Sequence, residues 1–107
     1  MKAQVYILSL IDKSGVLNKI ELLNWLNNAL KDNEAFLSLQ AQKLELYLIQ
    51  LAEQKINKTE FEENCRFLKN NIESKIIQNE LKNKENGKIM LEYLQQVFLD
   101  KFPKLIQ

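Results

Sequence analysis

The sequence predicts an all-α fold, a four- to five-helix bundle with short antiparallel connections. Only two Gly and one Pro punctuate the 107 residues, and so few turn residues nearly exclude an all-β domain. Apolar residues recur at intervals of three and four through long segments that are rich in strong helix formers. The length is that of one ordinary domain, so we expect a single helical domain over residues 1–107.

The first predicted helix covers residues 2–12 and is apolar nearly all round, which indicates deep packing. Its β-branched residues keep a strand open as an alternative. A turn follows, in which Gly15 suits a left-handed position at the end of the helix. The second predicted helix covers residues 19–31, and Trp25 on its inner side is expected to be mostly buried.

The third predicted helix, residues 34–54, has so wide an apolar set that we expect it at the centre of the bundle. The fourth runs from about residue 58 to 83, and the fifth covers about 88–102, where Pro103 ends it. Between them, residues 84–87 are predicted to form a turn, because Asn-Gly is a strong turn dipeptide.

One short motif occurs twice, around Asn18 and Asn57. Each Asn is placed as an N-cap, and a Glu three residues later can bond back to the amide of the cap. The apolar residue before each cap can pack on the fourth helical position as a hydrophobic staple. A helix precedes each copy, so we predict two helix-turn-capped-helix units, at about residues 5–31 and 44–70.

Composition disfavours catalysis and metal binding. The chain contains no His, which is the usual general base near neutral pH and the commonest metal ligand. Gly15 and Gly87 stand alone, so no glycine-rich phosphate loop exists. Neither predicted hairpin loop carries the ladder of oxygen ligands that calcium needs. We therefore expect a non-enzymatic protein with no cofactor, no metal and no small-molecule substrate.

The single cysteine, Cys65, cannot form an intrachain disulfide, which suits a reducing compartment and predicts a cytoplasmic location. It shares a helical stripe with four apolar residues, so we expect a core position rather than a reactive thiol. The other members of the stripe are Phe61, Leu68, Ile72 and Ile76. No stretch approaches the ~18 apolar residues of a membrane span. The apolar run at residues 5–11 lacks a cleavage site, so neither a signal peptide nor a membrane partner is expected.

The fourth predicted helix is apolar on two sides. At about 100° per residue, Phe67, Ile77 and Leu81 fall opposite the core stripe. Two explanations remain open: the fifth helix covers Ile77 and Leu81, or the strip docks on a second copy or on the helix of another protein. The predicted partner-binding residues are Phe67, Asn70, Ser74, Ile77 and Leu81.

By elimination, we expect the chain to act through protein-protein binding, as an accessory, regulatory, inhibitory or immunity-type factor. The alternative is a nucleic-acid-associated helical protein that holds phosphates with its C-terminal lysines. A balance of 15 basic against 14 acidic residues and a single Arg make nucleic acid the less favoured partner. The lysines concerned are Lys82, Lys84, Lys88, Lys101 and Lys104.

Overall fold

The computed structural model describes residues 19–101, apart from the side chains of residues 19, 20, 22 and 23. The predicted first helix at residues 2–12 and the predicted cap Asn18 lie outside the described residues. Within residues 19–101 the chain forms helices and no strand, which confirms the predicted all-α class. The elements are α1 (Lys19–Leu30), α2 (Ala35–Ala52), α3 (Lys58–Ile77), α4 (Lys84–Tyr93) and a π-helical segment (Leu94–Lys101).

The helices pack around α3. This helix contacts α2, α4 and the π-helical segment, while α1 packs on α2. Short connections make consecutive helices antiparallel neighbours. The sequence predicts that the helix at residues 34–54, which corresponds to α2, lies at the centre of the bundle. In the described part of the chain α2 buries one side only, and Leu39 and Leu46 on its other side are 46% and 49% exposed.

Four aromatic rings pack together where α1, α3, α4 and the π-helical segment meet. They belong to Trp25, Phe61, Tyr93 and Phe98. Phe98 is fully buried, and its ring centroid lies 6.2 Å from Trp25, 6.5 Å from Phe61 and 6.5 Å from Tyr93. Trp25 stacks on Tyr93 with centroids 4.0 Å apart and ring planes within 8°. Trp25 was predicted to be mostly buried, and the structure leaves it half-buried. We call these four residues the aromatic cluster.

The predicted capping box at Asn57 is confirmed. The backbone N–H of Glu60 donates to Asn57 Oδ1 at 2.8 Å, and the backbone N–H of Asn57 donates to Glu60 Oε1 at 3.1 Å. Ile56, the residue before the cap, is half-buried against the core, and Phe61 is fully buried. The otherwise unpaired amides of Asn57 and Glu60 are thus each satisfied by a side chain three residues away.

We expect Asn57→Ala to lower the free energy of unfolding by about 1 kcal/mol, because the amide of Glu60 loses its acceptor. Asn57→Gly should cost only a few tenths of that value. Urea denaturation measures both. The control is Asn71→Ala at an exposed position inside α3, which removes no cap. An unchanged midpoint for Asn57→Ala would show that the capping hydrogen bonds contribute no net stability.

A residue with left-handed backbone lies two positions after the end of both α2 and α3, Gln54 at φ 60° and Asn79 at φ 58°. In each case the next residue bonds back across the last turn: Lys55 N–H donates to Gln50 at 2.8 Å, and Glu80 N–H donates to Lys75 at 3.0 Å. These are Schellman motifs. The prediction that the fourth helix runs to residue 83 is therefore wrong, because Asn tolerates the left-handed conformation and ends α3 at Ile77.

The predicted turn at residues 84–87 is also wrong. Lys84–Tyr93 is helical, and the side chain of Asn83 caps it by accepting the N–H of Asn86 at 3.1 Å. Gly87 lies buried inside the first turns of α4, where a Cβ atom would stand 2.6 Å from Leu81 Cδ1. The glycine therefore permits close packing of Leu81, whereas the sequence suggested that it permits a turn.

The last described element departs from α-helical geometry. The sequence predicts one helix over residues 88–102, whereas from Leu94 the chain is π-helical, with bonds that join residues five apart. Gln95 Nε2 donates to Asp100 Oδ1 at 2.9 Å across that same spacing. The segment buries Leu94, Val97 and Phe98. Apolar spacings of three and four fit either helix, so periodicity gave no sign of the change.

Candidate functional site

Four of the predicted docking residues lie together on the surface of α3. Phe67 is 66% exposed and Ile77 is 76% exposed, and Asn70 and Ser74 between them are exposed as well. Spacings of three, four and three residues place all four on one side of the helix. We call Phe67, Asn70, Ser74 and Ile77 the α3 strip.

Leu81 does not belong to this surface, and its prediction as a docking residue is wrong. It is 7% exposed and packs against Gly87 of α4. Because α3 ends at Ile77, Leu81 follows the turn and leaves the line of the helix. Of the two explanations left open by the sequence, cover by the following helix holds for Leu81 and does not hold for Ile77.

The α3 strip carries no charge along its length. Of the exposed residues that flank it, Asn71 and Gln78 are uncharged, whereas Glu63, Arg66 and Glu73 are charged. Lys75 lies to one side, where its Nζ meets Glu80 Oε2 at 2.6 Å and the Phe36 ring at 5.4 Å from the centroid.

The opposite side of α3 is fully buried, which separates the strip from the core. Phe61, Cys65, Leu68 and Ile72 each expose 1% or less of their surface. This confirms the predicted core stripe for these four residues, while its fifth member, Ile76, is partly buried against the core. A substitution on the α3 strip therefore changes the surface without removing a core contact, so binding and stability can be measured independently.

Cys65 is part of that core stripe, and its thiol is unreactive. Burial, reinforced by the nearby Glu62 carboxylate, raises the pKa of the Cys65 thiol to about 12, against a smaller lowering by Arg66. The thiolate is the nucleophilic form. At neutral pH the side chain is therefore a small apolar group, as the sequence predicted.

Alkaline pH should destabilise the fold through Cys65. The thiol ionises near pH 9.0 when exposed and near about 12 when buried. Its stabilising contribution is therefore complete below pH 9 and is lost as the pH rises toward 12, with a slope of up to about 1.4 kcal/mol per pH unit. Urea midpoints between pH 8 and pH 11 measure this loss, and Cys65→Ala should show a shallower slope. Equal slopes would contradict it.

Apart from the α3 strip, a set of polar contacts joins the loop before α2 to the start of α4, which are distant in sequence. Glu34 Oε1 accepts the backbone N–H of Lys82 at 2.6 Å and of Asn83 at 3.3 Å. Asp32 Oδ1 accepts the N–H of Glu34 at 2.7 Å, and its Oδ2 accepts Asn86 Nδ2 at 3.2 Å. We call these contacts the loop clasp. Sequence reasoning missed them, since no periodic or capping signal links residues so far apart.

The loop clasp borders an open cavity of about 510 Å³. Trp25, Ala29 and Met90 supply apolar lining, and Lys31 and Lys82 stand among the polar residues. The Asp32 and Glu34 carboxylates that also line the cavity already accept hydrogen bonds. The lining therefore mixes both signs of charge and selects no single ligand chemistry.

The metal-ligating and basic side chains of the described residues form no cluster of one kind. Over residues 19–101 no three His, Cys, Asp or Glu side chains converge to hold a metal. No helix in that range is long and apolar enough to cross a membrane. Of the predicted phosphate-binding lysines, Lys82, Lys84, Lys88 and Lys101 are exposed among acidic neighbours, and Lys104 lies outside the described residues.

The α3 strip is thus the surface feature with the most defined chemistry in the described part of the chain. In comparisons with known proteins, no family model matches the sequence, and no curated protein or solved structure gives a significant match.

Proposed function

We propose that this chain is a non-enzymatic protein-binding module that docks a partner on the α3 strip. The observation that carries the proposal is the exposure of Phe67 and Ile77, 66% and 76%, on one side of α3. Single exposed apolar residues are ordinary on protein surfaces. Two large ones on one side of the same helix, with the uncharged Asn70 and Ser74 between them, fit the anchors of a helix-mediated contact.

The free energy available from burying Phe67 and Ile77 is sufficient for binding a partner. Full burial of an aromatic or large aliphatic side chain contributes about 1.5–3 kcal/mol, and both anchors have most of that contribution still available. A lysine in place of Phe67 would remove the apolar contact and bring a charge into a dry interface. The expected loss of affinity exceeds about tenfold.

The test is affinity capture from the source cells, with wild type, Phe67→Lys and a matched control, Gln96→Lys. Gln96 is exposed on the π-helical segment, away from α3, so its substitution adds the same charge elsewhere. We expect proteins identified by mass spectrometry to be retained by wild type and by Gln96→Lys and lost from Phe67→Lys. Equal recovery with all three would refute docking on the strip.

We place this activity in the cytoplasm, because the one cysteine of the chain is a buried free thiol. The nucleic-acid alternative has no specific observation in its favour, since Glu80, Glu85 and Glu92 stand among the exposed lysines. Salt-dependent retention on DNA that is lost in Lys84→Gln but not in Phe67→Lys would support it instead.

A further inference from the structure

We propose that Asn86 is a site of spontaneous deamidation, that the loop clasp slows this reaction, and that the carboxylate it forms weakens the clasp. The inference is independent of partner binding on the α3 strip. It is carried by the Asn86-Gly87 dipeptide, by the hydrogen bonds that hold both residues, and by the contact of the Asn86 side chain with Asp32.

The reaction needs only these two neighbouring residues and water. The backbone nitrogen of Gly87 attacks Cγ of Asn86, the side-chain amide leaves as ammonia, and a five-membered succinimide ring joins the two residues. Water then opens the ring at either carbonyl and leaves an aspartate or an isoaspartate at position 86. Glycine has no Cβ atom to hinder the attack, and no other Asn of the chain precedes a Gly. In the unfolded chain we therefore expect Asn86 to react first.

The folded structure holds both reacting groups in place. Asn86 Nδ2 donates to Asp32 Oδ2 at 3.2 Å, so the amide that would leave is bound to the loop before α2. The Gly87 N–H donates to the Asn83 carbonyl at 3.3 Å, within the first turns of α4. Ring closure requires the backbone at Asn86 to leave its helical conformation. Both hydrogen bonds must therefore break before the reaction can occur.

The start of α4 is held largely by groups outside that helix. Glu34 Oε1 accepts the N–H groups of Lys82 and Asn83, which come just before α4. The first N–H groups of a helix have no partner inside it, so a first turn is weakly held by its own backbone. Opening of the clasp thus frees Asn86 and Gly87 at a lower cost than unfolding of the core, and the reaction rate follows the open fraction.

The aspartate product replaces a hydrogen bond by a repulsion. The new carboxylate takes the place of the donor that lies 3.2 Å from Asp32 Oδ2, so two negatively charged acceptors face each other. The other charged residues that line this cavity are Lys31, Glu34 and Lys82. Both lysines are exposed, and exposed charge pairs contribute little. The lost hydrogen bond is therefore not replaced by the product.

The isoaspartate product lengthens the main chain just before Gly87. Gly87 is buried, and a Cβ atom there would stand 2.6 Å from Leu81 Cδ1 and 3.5 Å from Ile76 Cδ1. The packing around Gly87 leaves no space for a longer chain, so the start of α4 must move. Because ammonia is lost to the solvent, neither product reverts to asparagine, and the weakening of the clasp is permanent.

The first experiment follows deamidation by peptide mapping and mass spectrometry during incubation at mildly alkaline pH. In urea, the unfolded chain should react at Asn86 before any other Asn. In buffer, the native protein should react at Asn86 at least about tenfold more slowly. Equal rates in urea and in buffer would overturn protection by the fold. An unfolded chain without preference for Asn86 would overturn the site.

Glu34→Ala tests the control by the clasp, because it removes the acceptor of two N–H groups without changing Asn86. We expect deamidation about three- to tenfold faster than in wild type. The control is Leu99→Ala, which destabilises the π-helical segment outside the clasp. The two variants are compared at equal free energy of unfolding, set with urea. Equal deamidation rates would show that only global unfolding exposes the site, and would overturn control by the clasp.

A double-mutant cycle tests the effect of the product. Asn86→Asp has the charge of the aspartate product, and Asp32→Asn supplies a side-chain amide that can donate to it. Asp32→Asn should lower the unfolding equilibrium constant of Asn86→Asp about two- to tenfold, and should not lower that of wild type. Urea denaturation of the four proteins measures the coupling, which excludes any direct effect of the new charge on the start of α4. Zero coupling would overturn the weakening of the clasp.

Discussion

Phe98→Ala is expected to lower the free energy of unfolding by about 3–5 kcal/mol. Phe98 is fully buried and lies within 6.5 Å, centroid to centroid, of the other three rings of the aromatic cluster. Its truncation would leave a cavity at the point where α1, α3, α4 and the π-helical segment meet. Urea denaturation followed by circular dichroism and by Trp25 emission measures the loss.

A matched control for Phe98→Ala is Leu99→Ala, the next residue in the same π-helical segment. Leu99 is only half-buried, so its truncation should cost clearly less. If the two variants were equally destabilised, the cost would arise from the segment as a whole rather than from the aromatic cluster. A loss below about 1 kcal/mol for Phe98→Ala would contradict the central position of that ring.

Leu81→Lys is expected to destabilise the fold by about 3 kcal/mol or more, because it removes a buried apolar side chain and brings an ammonium group toward the core. Phe67→Lys introduces the same residue at a position that is 66% exposed and should change stability by no more than about 0.5 kcal/mol. Thermal and urea unfolding of the two variants beside wild type make the comparison.

Comparison of Leu81→Lys with Phe67→Lys distinguishes the core from the α3 strip, although helical periodicity alone places Leu81 and Phe67 on the same side of the helix. Strong destabilisation by Phe67→Lys would mean that its ring belongs to the core. Near-neutral Leu81→Lys would mean that Leu81 and Gly87 do not pack as closely as the structure places them. Either result would redefine the boundary of the α3 strip.

The parts of the fold that the sequence predicted are those with local causes. Asn57 and Glu60 are three residues apart and form the start of α3 by themselves. The position of Cys65 followed from the spacing of its apolar neighbours on one helix. Signals of this range need no knowledge of which other element lies nearby.

The region between α3 and α4 was mispredicted because several local signals compete there. Asn79, Asn83 and Asn86-Gly87 each suit a helix boundary. The structure uses Asn79 to end α3 and Asn83 to begin α4. The choice depends on Leu81, which packs on Gly87, and that contact belongs to tertiary structure.

The candidate site was predicted in part for the same reason. Periodicity identified the second apolar side of α3, but it did not separate Ile77, which is 76% exposed, from Leu81, which is 7% exposed. That difference depends on where the helix ends and on what folds over it. No local rule could predict the long-range bonds of the loop clasp, since these join residues that are 48 and more positions apart.

The loop clasp also bears on the order in which the chain assembles. The bond from the Lys82 amide to Glu34 closes 48 residues of chain, and the entropy cost of closing a loop grows with its length. The helices need only neighbours three and four residues away, so we expect this bond to form after α2 and α3 have met. The amide hydrogen of Lys82 would then exchange with deuterium only when the two loops separate, and its protection factor reports how often they do.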